Sequence, residues 1–233
     1  MVAPSHSTIS GERFVLNFHG VGDVPGFVGS DERPYWSSEA DFVALLDAAG
    51  PTSASTDLPI QITFDDGNES DALVALPALL ERNLTADFFV CAGRLGQPGY
   101  LSETQLRQIR DAGMRVGSHG WSHIDWRTTD NDALDREVRV ARERLSEVLD
   151  QDVSDVAIPF GSYDRRVIQS LRRNKVRTVY TSDPGRAGDG WIVSRETWVE
   201  GWDSDRLHHV AATRPSARQR AYRPLARLAK RLR

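Results

Sequence analysis

Apolar and polar positions follow two alternating periods along this chain. Short runs rich in β-branched and aromatic residues over 14–19, 60–64, 86–91, 114–117, 156–158, 178–181 and 191–194 predict strands. Stretches of helical period lie between them. Residues 39–49 carry Phe42, Leu45 and Leu46 on one face and stop at Gly50-Pro51. Residues 71–82 are apolar with Pro77 inside, which predicts a kink or a late start. Residues 102–112 open on the capping-box pair Ser102 and Gln105 and close at Gly113. The longest helix, 132–149, steps through Leu134, Val138, Ala141, Leu145 and Val148 with charge on its other faces. A further helix is predicted over 165–174. This alternation implies an α/β fold, a mainly parallel sheet wrapped by helices, as a barrel or an open sheet. The polar, Gly- and Pro-rich stretch 20–35 reads as a rim or lid over one end.

Composition places the chain among single globular domains of barrel size: 233 residues, 39% hydrophobic and 27% charged. The lone Cys91 excludes an internal disulfide and ends the run Phe88-Phe89-Val90, so it reads as a buried thiol. No apolar stretch approaches the roughly 20 residues of a membrane span, and residues 1–12 lack the apolar core of a secretory signal. A cytoplasmic location, at the inner membrane face, is the expectation. Eight of the 29 basic side chains and none of the 33 acidic ones fall in 214–233, where Leu225, Leu228 and Leu232 recur between Arg and Lys. The chain therefore divides into a domain over 1–213 and a basic tail over 214–233. That tail suits either peripheral contact with an anionic membrane or plain solvation. The acidic body argues against nucleic acid as a partner.

The chemistry concentrates in two stretches. Asp65 and Asp66 follow a predicted strand in Ile62-Thr63-Phe64-Asp65-Asp66-Gly67, and His119 and His123 lie in Gly117-Ser118-His119-Gly120-Trp121-Ser122-His123. Two adjacent acids repel each other, and a cation relieves that repulsion. One carboxylate with two imidazoles makes a facial three-ligand set for a divalent metal, with positions left for water and substrate. The other carboxylate stays available to take a proton. No Glu follows the first His, so a zinc-protease reading is poor. His19, Asp65-Asp66, His119 and Pro159-Phe160-Gly161 all follow predicted strands, the end at which α/β barrels build their sites.

Thr63-Phe64-Asp65-Asp66-Gly67, then Ser118-His119-x-x-x-His123, then Ile158-Pro159-Phe160-Gly161 resemble, in order and spacing, the signature of the polysaccharide deacetylase family (NodB homology, carbohydrate esterase 4). The resemblance runs from about Phe14 to Trp198. It implies a distorted, incomplete (β/α) barrel and a hydrolase of carbon–nitrogen bonds. It also implies Asp66, His119 and His123 as metal ligands, Asp65 as general base and the Phe160 N–H as an oxyanion donor. The implied cofactor is a divalent cation, zinc first, with cobalt, nickel, manganese or iron as alternatives. The implied partner is an N-acetylated amino-sugar glycan, part of a bacterial surface polysaccharide or a lipid-linked saccharide precursor. Pro159, Tyr163 and Trp121, with Trp126 and Trp36, are further substrate-binding candidates. Two departures from the family pattern stand out. Ala157 occupies the place of an Arg that braces the catalytic Asp, with Arg195 the candidate replacement, and the late Leu-x-His motif that supplies the acid is missing. His19 is the candidate acid, and a surface position is expected for His208 and His209. A small cyclic amide or ureide, an N-formyl sugar, and a non-catalytic glycan binder are the competing readings.

Overall fold

Every pairing in the main sheet is parallel, as buried strands joined by helical crossovers require. The computed structural model describes residues 11–49 and 58–212. The tail over 214–233 and the residues before Gly11 lie outside them. In chain order the elements are β1 (Phe14–Phe18), β2 (Gly20–Val21), β3 (Trp36–Ser37), α1 (Glu39–Ala49), β4 (Ile60–Phe64), α2 (Leu76–Glu81), β5 (Ala86–Val90), α3 (Glu103–Asp111), β6 (Arg115–Ser118), α4 (Asn131–Asp135), α5 (Ala141–Leu149), β7 (Asp155–Ala157), α6 (Arg165–Arg173), β8 (Thr178–Thr181), β9 (Ile192–Ser194), β10 (Glu196–Thr197) and α7 (Ser204–Ala212). The sheet order is β10-β1-β4-β5-β6-β7-β8-β9. β9 and β10 are consecutive in the chain yet sit at opposite ends of that order. The run 192–197 thus pairs with β8 before Arg195 and with β1 after it, and draws the sheet into a nearly closed barrel.

Two helices depart from the even periodicity of the sequence. Residues 71–75 wind in a wide turn, with the Leu76 N–H reaching back to the Asp71 carbonyl, before α2 begins. Pro77 accounts for it: its ring clashes with a carbonyl four residues back, and the wider register relieves that clash. The long helix predicted over 132–149 is likewise interrupted at 136–140 by a wide turn between α4 and α5. The capping box at Ser102 forms, with Ser102 Oγ accepting from the Gln105 N–H at 3.2 Å.

The main core lies between the sheet and α1, α2, α3, α5 and α7, around Phe18, Phe42, Phe64 and Phe88. A smaller one, with Trp126, Val156, Tyr163 and Leu171, lies under α6. Inside the barrel, side chains alternate along the strands. An apolar layer of Val15, Phe89, Ala157 and Val193 separates two polar layers. The lower polar layer centres on Asp87, which accepts Arg115 Nε and Nη2 at 2.8 Å each and the Gln61 amide. Arg13 Nε in turn donates to Gln61 Oε1 at 2.7 Å. Cys91 is fully buried, and burial pushes its thiol well above its ordinary range, so it stays protonated and inert.

Asp87→Asn is expected to lower stability by about 3 kcal/mol, since it leaves Arg115 facing an amide in a buried network. Urea unfolding checks this, and an unchanged midpoint would show that the lower layer contributes nothing.

Candidate functional site

The residues that follow successive strands converge on one cavity of about 300 Å³. Its walls include His19 after β1, Asp65 and Asp66 after β4, His119 after β6, Phe160 after β7, Ser182 after β8 and Thr197 in β10. The stretch 22–35 folds over it, with Phe27, Val28, Glu32 and Tyr35 as walls, and β2 and β3 pair parallel at its two ends. Gly99 has φ +83°, and a Cβ there would lie 2.0 Å from the Phe27 ring, so only glycine lets Phe27 seat beside Tyr100.

Asp65 turns into the barrel. Arg195 Nη1 donates to its Oδ1 and Nη2 to its Oδ2, both at 2.7 Å, and Asn17 Nδ2 adds a third bond at 3.0 Å. Asn17 Oδ1 accepts from Arg195 Nη1 at 2.8 Å and from Thr63 Oγ1 at 2.7 Å, which locks its amide orientation. Arg195 stacks over Phe89 at 5.3 Å and is 1% exposed. Burial alone would raise the Asp65 pKa. The Arg195 charge and hydrogen bonds, with His119 and His19 nearby, outweigh burial and hold the carboxyl far below the usual carboxylate range.

Asp66 turns the other way, its backbone at φ +77°. Its Oδ1 lies 3.3 Å from His123 Nε2 and 3.9 Å from His119 Nε2, and the ligand atoms of the three residues all lie within 4.8 Å of one another. His119 Nδ1 sits 2.9 Å from the Ala157 carbonyl oxygen. That bond places the proton on Nδ1 and leaves the Nε2 lone pair facing the carboxylates, the arrangement a metal-ligating imidazole needs. Burial, only partly offset by Asp65 and Asp66, pulls the His119 pKa down to about 4, so the ring is neutral at neutral pH. Burial would raise the Asp66 pKa, but His123, His19, His119 and Arg94 together lower it. Two bare imidazole nitrogens and an ionised carboxylate on one wall fit a divalent cation.

The remaining candidates separate. The Phe160 ring, 63% exposed, lies 4.6 Å from the His123 ring, on a backbone at φ +58°. His19 stacks near Tyr35 at 5.3 Å, and its Nδ1 is buried without a hydrogen-bond partner. Trp36 is buried at the cavity wall. Tyr163, Trp121, Trp126 and Pro159 are not cavity walls, contrary to expectation. Tyr163 belongs to the smaller core and donates its hydroxyl to Asp183 Oδ2 at 2.8 Å. The Trp121 ring packs against Gly93 and beneath the Arg136 guanidinium, on the outer side of the His loop. Trp126 is fully buried, and Pro159 is buried under the turn that carries Phe160. His208 and His209 lie on α7, away from the cavity.

Sequence reasoning passed over Arg94, whose Nη1 donates to Asp66 Oδ1 at 3.2 Å from a position over the Tyr100 ring. It also passed over Asn17 and Asp71. Asp71 is fully buried with neither oxygen hydrogen-bonded; burial, then the charges of Asp66 and Asp65, push its pKa well above the usual range. The only signal for Asn17 and Asp71 is a polar residue at a position where the pattern demands an apolar one.

Comparison with known proteins agrees with this geometry. A family model described as Polysaccharide deacetylase matches residues 53–179. A chitooligosaccharide deacetylase of Rhizobium leguminosarum bv. trifolii is 27% identical over 188 residues, 80% of this chain and 77% of that protein. The protein YxkH of Bacillus subtilis (strain 168) is 22% identical over 128 residues, 55% of this chain, and the match spans about half, 46%, of YxkH. Among solved structures, the Streptococcus pyogenes deacetylase PplD in complex with acetate superposes with a TM-score of 0.75 at 18% identity, covering 88% of this chain and 100% of that one, and so shares the fold. With more than half of its length matched by the family model, the chain belongs to the polysaccharide deacetylase family, hydrolases of carbon–nitrogen bonds other than peptide bonds.

Proposed function

We propose that this chain removes N-acetyl groups from amino sugars of a bacterial surface polysaccharide or its lipid-linked precursor, with a divalent cation, zinc first, as cofactor. One observation supports the reading above the rest: two consecutive carboxylates point to different partners, Asp66 to two imidazoles and Asp65 to Arg195. Asp66, His119 and His123 would hold the cation, which supplies acidification of a water and polarisation of the amide carbonyl.

Asp65 acts as general base in this reading. Its Oδ2 lies 3.8 Å from His119 Nε2, so it borders the wall where the cation and its water would be held. With its pKa held below the usual carboxylate range it is a weak base, and an acidified water gives up a proton to it more readily than a free one. Arg195 and Asn17 fix the direction of its lone pairs. The Phe160 N–H, on a turn held by Pro159, stabilises the oxyanion as the carbonyl becomes tetrahedral. His19, on the cavity wall, gives the departing amine its proton. The exposed rings of Phe27, Tyr35 and Phe160 offer faces for pyranose stacking.

Asp65→Asn is expected to cut acetate release from N-acetylated chito-oligosaccharides by about 100- to 10,000-fold while elemental analysis still finds the cation. Full turnover in that variant would remove Asp65 from the role, and ring opening of cyclic amides to an amine and a carboxylate in one product, without acetate release from the sugars, would replace the substrate class. The sign of the Arg195 effect is also testable. Arg195 lowers the Asp65 pKa in the folded state, so Arg195→Met removes the largest opposition to burial and raises it. The acid limb of kcat/KM against pH should move to higher pH, and an unmoved limb counts against Asp65 as the base. The lipid-linked substrate rests on the basic stretch 214–233. Full-length protein should float with anionic liposomes better than a variant ending at residue 213, and equal flotation removes the membrane role.

A further inference from the structure

The loop that carries His123 is held from below by a carboxylate with no part in the chemistry just described. Glu137 sits in the wide turn at 136–140 and is 1% exposed. Its Oε2 accepts the Trp121 N–H at 2.8 Å and Trp126 Nε1 at 3.2 Å, and its Oε1 accepts the Ser122 N–H at 2.9 Å. Among the described residues no cation pairs with it, so three N–H donors carry the whole compensation of a buried charge. On the other side of the loop, the Ala92 and Gly93 N–H groups donate to the Gly120 and Trp121 carbonyls at 2.9 and 3.0 Å. The loop bends twice through the left-handed region, at Gly120 with φ +84°, which glycine adopts freely, and at His123 with φ +56°, which an L side chain rarely adopts. A Cβ on Gly120 would lie 2.4 Å from Glu137 Oε2, so the carboxylate fills the space that glycine leaves.

A regular helix does not need a wide turn here, and the extra residue in that turn sits where the carboxylate meets the loop. We propose that Glu137 is a positioning residue for the cation site. By binding two consecutive N–H groups of the loop, it holds the left-handed bend that brings His123 Nε2 to Asp66 Oδ1. The inference rests on the reading of Asp66, His119 and His123 as ligands and names the residue outside that set on which their geometry depends.

The test uses the full chain stripped of metal, with Zn²⁺ affinity measured by competition against a chelator and folding followed by circular dichroism. Glu137→Ala is expected to weaken Zn²⁺ binding by about 10- to 100-fold, the usual consequence of losing a group that orients a ligand. Glu137→Gln, which keeps one acceptor oxygen, should fall between it and wild type. Asp87→Asn, destabilised from the opposite end of the barrel, should bind like wild type. Gly120→Ala, which drives a methyl group into the intact carboxylate, should also weaken binding, and it serves with Glu137→Gln where Glu137→Ala does not fold. Wild-type affinity in the folded Glu137 and Gly120 variants would overturn the inference. Weakening in Asp87→Asn as large as in Glu137→Gln would overturn it too, since general destabilisation would then suffice. Absence of Zn²⁺ binding by the wild type itself would instead sink the ligand assignment on which the inference rests.

Discussion

The pairing of Arg195 with Asp65 is the constraint around which this barrel is organised. A carboxylate at 2% exposure and a guanidinium at 1% exposure are each costly to bury alone. Together, with both oxygens of one matched to two nitrogens of the other and with Asn17 and Thr63 joining the set, they form a hydrogen-bonded layer across the barrel mouth in which, among the described residues, only Arg195 Nε stays without a partner. The pair also joins the two edges of the sheet. Arg195 stands at the residue where the last strand leaves β8 for β1, so closure of the barrel and orientation of Asp65 are one packing event.

The same constraint gives two neighbouring acids different characters. Alternation along an extended chain sends residue 65 inward, and the positive φ at Asp66 swings the next side chain toward the imidazoles. Asp65 meets a permanent positive charge. Asp66 meets imidazole rings and one partly exposed guanidinium, that of Arg94. Adjacent positions in sequence thereby reach separate electrostatic environments without any long insertion between them.

Much of this was legible in the sequence, and the missing parts share a cause. Most strands of the parallel sheet are buried on both faces and read as apolar runs, so their places along the chain and the motifs at their ends followed from periodicity. The two imidazoles and two carboxylates were legible because four such groups gathered at strand ends suit few roles besides holding a cation. What escaped was non-local. No local pattern reports that 192–197 changes partners in mid-strand, and Arg195 was named only because the family resemblance called for an Arg to brace the catalytic Asp, the contact it makes with Asp65 130 residues earlier. Glu137 read as one more charge on the outer face of a helix, because a wide turn shifts the face without changing the amino-acid pattern. Tyr163 and Trp121 were drawn to the site by nearness in sequence. Each instead follows the packing its neighbours dictate, toward Asp183 in one case and Gly93 in the other.

The partner switch at Arg195 has a consequence for biosynthesis. A ribosome releases this chain from the N-terminus, so Asp65 and both imidazoles emerge well before the guanidinium that makes burial of Asp65 tolerable. Until residue 195 has left the exit tunnel, the nascent chain lacks the strand that closes the barrel and the guanidinium that pairs with Asp65. Commitment to the closed form is thereby deferred to a late stage of translation, and a product truncated before that residue carries all three of the matched motifs without the arrangement that unites them.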